Sequence, residues 1–434
     1  MVQLELSRGW RISGAERAGV AAGELEDGLV AITGRRGGDG GVAFELVESG
    51  GSGEGFRWEA TADAVTVEGV GPRGLLHGVF GLLAALGLRW PWPGRAVRVA
   101  HGPLAVAESV EDEPVVRERC LVLGHRAVLE AGEEWIVWAA PQRLNTIFVH
   151  VGPGRAPFGA APERLWRERR ERLVALARDR AMTIEHGGHL LGDLATREVL
   201  ARAAHELEAG SPAGGVEALQ ATVSAHARAH PEADVLHLWG ADTAAGAASA
   251  TASSERALRL TNAAAAAVEH IRASATVASL AYHDTLAVPT GTPPRANVCL
   301  LWAPRERSYG HPADAGPNAD LWALFRRHVA HYAAAGARPA RVFEYYVDGI
   351  RFPRGVPELG DVMAADIRAY AAAGAHAVQA LMTGAGRPPS VHPNPWLFAQ
   401  LSWDPRQDTR ALDRDWCVAA DRARLATGGA PASP

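Results

Sequence analysis

With 434 residues, 47% hydrophobic content and a net charge of −5, the chain can bury a large core, enough for two domains or one large barrel with an appendage. That mild acidity gives no reason to expect nucleic acid or an anionic membrane as a partner, and no apolar stretch is long enough to span a bilayer. All 44 basic residues are arginine; Schiff-base aldolases, pyridoxal-phosphate enzymes and P-loop NTPases, which need a lysine amine at the reacting centre, are therefore excluded.

The amino terminus, Met1-Val-Gln-Leu-Glu-Leu6, lacks the basic and apolar regions of a signal peptide, so a cytoplasmic protein is expected. Residues 1 to about 110 read as a small α+β domain. Strands are expected at Leu29–Thr33, Val42–Val47 and Ala64–Glu68, with the flexible turn Gly50–Gly55 among them. A helix follows over Gly74–Leu86, with Leu75, Leu76, Val79, Leu82 and Leu83 on one stripe and Gly87 at its C-terminal cap.

From 113 to 427 strands alternate with helical patterns, the mark of parallel βαβ units. Eight short apolar runs begin near Arg119, Thr146, Met182, Val235, Val277, Asn297, Arg341 and Ala377. Most end in a residue able to do chemistry, as expected of a (β/α)8 barrel, an α/β TIM-like fold whose strand C-termini gather around one mouth. Between the fifth and sixth runs lie only His283–Ala296, rich in Pro and Thr, so the fifth helix is expected to be missing. The Arg-rich helix Arg164–Arg180 alternates arginine with glutamate and reads as a solvated face. Asp361 and Gly374 are expected to cap the helix carrying Met363, Ile367 and Tyr370. A last helix is expected to end near Leu425, and 428–434 to be a disordered tail.

Glu344 is the first candidate for chemistry. It ends the seventh run among aromatic residues, where a carboxylate can act as general acid or base; the alternative is a carboxylate held by an arginine. Asp242, after the fourth run, is the second, with an N-cap as its alternative, and Asp284 is a third. Two carboxylates from opposite sides of a barrel are what glycoside hydrolysis usually requires. His125, His150, His186, His189 and His283 are expected at the mouth, binding hydroxyl groups or orienting a carboxylate. Trp302, Tyr345 and Tyr346 supply aromatic walls, while Arg305, Arg307, Tyr309 and His311 form a loop wall after the sixth run. Trp396 and Trp403 read as packing residues. The first run carries no HxH pair and no helix an HExxH, so no metal is expected, nor any other cofactor. The three cysteines, Cys120, Cys299 and Cys417, are scattered, and neither a disulfide framework nor a thiolate zinc site is expected.

These residues resemble known families. Arg73-Gly-Leu-Leu-His-Gly-Val-Phe-Gly-Leu-Leu83, followed by Gly87–Gly94, is similar to the small domain that precedes many hexosaminidase and α-glucuronidase barrels. The blocks Arg307-Ser-Tyr-Gly-His-Pro312, Val342-Phe-Glu-Tyr-Tyr346, Asp366-Ile-Arg-Ala-Tyr370 and Leu401-Ser-Trp-Asp-Pro405 resemble glycoside hydrolase family 163, earlier catalogued as the bacterial domain of unknown function DUF4838. The resemblance implies a retaining enzyme acting on β-linked N-acetylglucosamine in glycans. It assigns the catalytic role to Glu344 through the Phe-Glu-Tyr-Tyr block, and places Asp242 where relatives carry acidic residues. A carbohydrate substrate is thus the expected partner. A non-catalytic carbohydrate-binding barrel is the rival expectation, and a metal-dependent hydrolase a more distant one.

Overall fold

The computed structural model describes residues 1–99, 102–124, 126–151, 161–240, 250–388 and 390–426. Five N-terminal strands, β1 (Trp10–Ser13), β2 (Val42–Ser49), β3 (Phe56–Ala60), β4 (Ala64–Val70) and β5 (Ser109–Asp112), form one mixed sheet in the order β1-β2-β4-β3-β5. The two longer helices of this region are α1 (Val20–Thr33) and α2 (Gly71–Ala85). Gly69 on β4 marks where α2 packs closest: an added Cβ would stand 1.9 Å from the Leu75 backbone nitrogen. The expected strand at Leu29–Thr33 is instead the last part of α1. Leu25, Leu29 and Ile32 are buried at helical spacing, and the helix stops at Gly34 in the left-handed region (φ 71°). Five residues of apolar, β-branched composition could not reveal that longer period.

The second region is a closed barrel of eight parallel strands: β6 (Glu118–Val122), β7 (Thr146–His150), β8 (Thr183–Gly188), β9 (Val235–Leu238), β10 (Thr276–Ala281), β11 (Val298–Trp302), β12 (Arg338–Glu344) and β13 (Ala377–Leu381). β13 pairs back onto β6. Outside them run α3 (Gly132–Ala139), α4 (Ala161–Asp179), α5 (Arg197–Glu208), α6 (Gly214–Ala229), α7 (Ala250–Ile271), α8 (Ala319–Ala334), α9 (Gly360–Ala372), α10 (Asn394–Trp403) and α11 (Thr409–Leu425). Between β10 and β11 there is only a single 3-10 turn at His283–Thr285, so the fifth helix is indeed absent. At α9 the cap falls elsewhere than expected: Leu359 is the N-cap, and Asp361 sits in the first turn, where it accepts from the Thr409 hydroxyl. Among the described residues no helix is long and apolar enough to cross a membrane.

The barrel interior below the mouth is filled by a buried polar layer. Glu185 on β8 accepts from Arg341 at 2.6 Å and Gln379 at 2.7 Å and lies 2.6 Å from His237 Nε2; Arg341 also pairs with Glu118 at 2.7 Å. All three cysteines are free thiols. Burial raises the pKa of Cys120 well above its ordinary value and that of Cys299 to about 12, so neither supplies a thiolate.

The N-terminal region docks where the barrel strands begin. Glu54 receives Arg119 at 2.8 Å and the Asn145 amide at 2.7 Å, His77 Nδ1 stands 3.4 Å away, and Arg73 reaches the Ala181 carbonyl. The opposite end, where the strands finish, is left for a ligand. Burial alone would raise the Glu54 pKa, but the Arg119 charge and then His77 overcome it and hold it at about 2. Burial lowers His77 to about 3 and His328 to about 4.

These shifts fix an acid sensitivity. A histidine whose folded pKa is depressed stabilises the fold above its unfolded value near 6.5, and that contribution is lost as pH falls towards 3 to 4. Glu54 adds a loss of the same sign below about 4.5. Asp366, raised to about 7, acts in the opposite direction and offsets only part of it. The thermal midpoint should therefore fall as pH drops from about 7 to 4; a midpoint flat or rising across that window would contradict the assignment.

Candidate active site at the barrel mouth

Alternation along the strands decides which side chains face the mouth. On β12, Arg341 meets Glu185 inside the barrel and Phe343 meets Phe148, so the inward set continues to Tyr345. On β9, His237 stacks on Phe148 with ring centroids 4.0 Å apart, so Trp239 is also inward, 5.6 Å from His150. The β8 chain turns beneath this layer at Gly187 and Gly188, with φ of 125° and 144°. A Cβ on Gly187 would stand 2.1 Å from the His237 carbonyl oxygen, and one on Gly188 2.6 Å from the His150 ring. Only glycine allows that approach.

These side chains enclose a hollow of about 70 Å³ lined by His150, His189, Trp239, Tyr282, Arg305, Phe343, Tyr345 and Asp348. It adjoins a cleft of about 210 Å³ that shares His189, Trp239 and Tyr282 and adds Arg256 and Asp284. Arg305 lies over the Tyr345 ring at 5.7 Å and donates to the Tyr282 hydroxyl at 3.4 Å. Asp348 is the carboxylate of the hollow. Its Oδ1 accepts from the Ile350 N–H and the Thr383 hydroxyl, both at 2.8 Å. Its Oδ2 has no hydrogen-bond partner among the described residues, with Arg305 at 3.7 Å. The Trp239 Nε1–H also has no hydrogen-bond partner among the described residues. A buried acceptor and donor left unspent at the rim of an aromatic cavity suit a ligand with hydroxyl or amide groups.

Glu344 belongs to the other face. It points out of the barrel, fully buried between β12, α9 and the loop after β11. Tyr309 donates to its Oε2 and Tyr370 to its Oε1, each at 2.6 Å, and Arg307 Nε lies 3.2 Å from Oε1. Arg307 also binds Asp366, which accepts from Tyr346 at 2.9 Å and the Ala313 N–H at 2.6 Å. Both carboxylate oxygens are thus spent, and the side chain is fully buried. The expectation that Glu344 faces the mouth is corrected, because strand parity sends it outward with Tyr346. Burial raises the Asp366 pKa to about 7, with Glu344 adding to the rise and Arg307 opposing it.

The remaining expected site residues divide. His150, His189 and Tyr345 line the hollow; His189 Nδ1 lies 2.7 Å from the Gly240 carbonyl. His283, with φ 47°, is turned to Glu306 beside the Tyr282 ring. Arg307, Tyr309 and Tyr346 are parts of the Glu344 cage, and His311 is exposed. Trp302 faces outward, packed on Phe325 and His328 of α8. His186 also faces outward, because its neighbour Glu185 takes the inward position. His125 and Asp242 lie outside the described residues. Trp396 and Trp403 are core packing, the latter covered by the Arg143 guanidinium at 4.3 Å. Sequence reasoning missed Asp348, four residues past the end of the seventh run, and Trp239, which directly follows β9.

Among known proteins, the fold is similar to that of several glycoside hydrolase barrels. A GH20 β-N-acetylhexosaminidase from Streptomyces coelicolor A3(2) superposes with a TM-score of 0.60 at 18% identity, over 97% of this chain and 93% of that one. A GH20 exo-β-N-acetylglucosaminidase from Vibrio harveyi gives 0.58 at 12%, covering 98% and 74%. A GH138 enzyme described as targeting pectin rhamnogalacturonan II gives 0.60 at 12%; it matches 94% of this chain, which spans only 52% of that protein. Residues 240–426 match the family model of a domain of unknown function, DUF4838. No curated protein matches.

Proposed function

We propose that the chain is a glycoside hydrolase that takes a β-linked N-acetylglucosamine-type sugar into the barrel mouth and cleaves it with retention. The observation that carries this reading is the aromatic-walled hollow in which Asp348 Oδ2 and Trp239 Nε1–H have no hydrogen-bond partner among the described residues. Sugar C–H faces pack on rings such as Tyr345 and Tyr282, and their hydroxyls complete buried polar groups. Asp348 takes the role first expected of Glu344, steadying the oxocarbenium-like centre or orienting the substrate's own acetamido oxygen for attack. Asp242, the first carboxylate after β9 in the sequence, is the general acid/base. The β-N-acetylhexosaminidases among the structural relatives support the sugar class.

One observation favours a second reading, a carbohydrate-binding barrel without turnover: the Glu344 carboxylate is consumed by its cage. A panel of aryl glycosides including the β-N-acetylglucosaminide separates the two. Hydrolysis with the β-anomer as first product supports the proposal. Calorimetric binding without hydrolysis favours the second reading, and neither binding nor hydrolysis across the panel removes both.

A further inference from the structure

Outside the barrel wall, behind β8, three imidazoles gather in a place the mouth chemistry does not use. His186 comes from β8, His226 from the last turn of α6, and His230 directly follows that helix. The rings of His186 and His230 stack with centroids 4.1 Å apart, and those of His226 and His230 lie 4.5 Å apart. One nitrogen from each ring lies within 4.8 Å of the others. His186 is 2% exposed, and neither of its ring nitrogens has a hydrogen-bond partner among the described residues; His226 Nε2 has none either.

We propose that His186, His226 and His230 form a binding site for a divalent transition metal of the zinc class. A buried imidazole with both nitrogens unsatisfied is costly unless something supplies a partner, and a cation shared by three rings does so. His226 and His230 stand four residues apart, the spacing that puts two side chains on one helical face. Tetrahedral coordination at metal–nitrogen distances of about 2.0–2.1 Å needs the nitrogens roughly 3.4 Å apart, so the rings must turn to close from their present separation of up to 4.8 Å.

The surroundings fit this assignment. Glu232 lies 3.2 Å from His230 Nδ1, so that nitrogen carries the proton and Nε2 keeps the lone pair, the carboxylate–histidine arrangement that supports a metal ligand. Arg170 is the nearest opposing cation, and Glu232 and the Ala229 carbonyl engage it at 2.5 Å each. The cluster opens on a cavity of about 440 Å³ lined also by Asp193, room for a fourth ligand from water or a carboxylate. Three histidines with an open fourth position are the donor set zinc and cobalt prefer.

The test uses the full chain stripped with chelator and titrated with Co²⁺ by visible absorption, then with Zn²⁺ by calorimetry. One equivalent should bind with low-coordinate ligand-field bands and a dissociation constant in the micromolar range or tighter. His226→Ala should weaken binding by at least about 100-fold. Glu232→Gln, which leaves all three ligands in place, should weaken it by about 10- to 100-fold. A His205→Ala/His270→Ala variant, altering exposed histidines elsewhere, should bind as the parent does. Should His226→Ala fail to fold, the Glu232→Gln and His205→Ala/His270→Ala pair decides alone. Absence of stoichiometric binding, or affinity that follows the exposed histidines, overturns the site. Because the readout is binding rather than turnover, its outcome is independent of the glycosidase reading.

Discussion

Asp348→Asn should reduce turnover of the best aryl glycoside by about 10³-fold or more while leaving the fold intact, a loss of roughly 4 kcal/mol in transition-state stabilisation. Asparagine keeps an oxygen for the Ile350 N–H and the Thr383 hydroxyl, which hold Oδ1 in place. What disappears is the negative charge on the atom that faces the hollow with no hydrogen bond of its own. A carboxylate excluded from water interacts strongly with a developing sugar cation, and a neutral amide of the same shape does not. KM should change little if Asp348 acts on the transition state, so the loss should appear in kcat. Turnover within a few fold of the parent, in a variant with an unchanged thermal midpoint, would remove Asp348 from the mechanism.

Why Asp348 escaped the sequence reading has a physical cause. Parallel barrel strands are buried on both faces, so β12 shows no polar–apolar alternation from which parity could be read. Glu344 and Tyr345 look equally placed in Val342-Phe-Glu-Tyr-Tyr346, yet one is outside the barrel and the other lines the hollow. His186 and His189 part company in the same way, across two glycines. The barrel itself was legible, because it depends on the number and spacing of apolar runs. The missing fifth helix was legible too, from Pro-rich composition. The resemblance blocks carry a further lesson: Arg307 and Tyr309, Glu344 and Tyr346, and Asp366 and Tyr370 come from three separate blocks and meet in one buried cage. They report the packing of β12 against α9, so strong sequence signal there does not locate the chemistry. The pair His226 and His230 drew no metal expectation, because the third histidine comes from β8, 40 residues earlier in the sequence.

Arg307→Met should destabilise the fold by about 3–5 kcal/mol at pH 8, more than any single change at the mouth. The guanidinium is buried between Glu344 and Asp366, and removing it strands two carboxylates beyond the reach of water. The tyrosine hydroxyls of Tyr309, Tyr346 and Tyr370 still donate, but hydrogen bonds alone do not replace a full positive charge. The penalty should also depend on pH with a definite sign. The folded pKa of Asp366 is raised to about 7, above its ordinary value of 3.8, so this group favours the folded state below that value and loses its contribution as pH rises through 7. Without Arg307 the upward push on Asp366 grows, so protonation at pH 5 relieves part of the stranded charge, and less of that relief is available at pH 8. Chemical denaturation of parent and Arg307→Met at both values measures the difference directly. A penalty below about 1 kcal/mol, or one larger at pH 5 than at pH 8, would mean that the cage is not held together by this ion cluster. It would also return Glu344 to the candidates for catalysis, because a carboxylate that does not need its arginine is free to turn elsewhere.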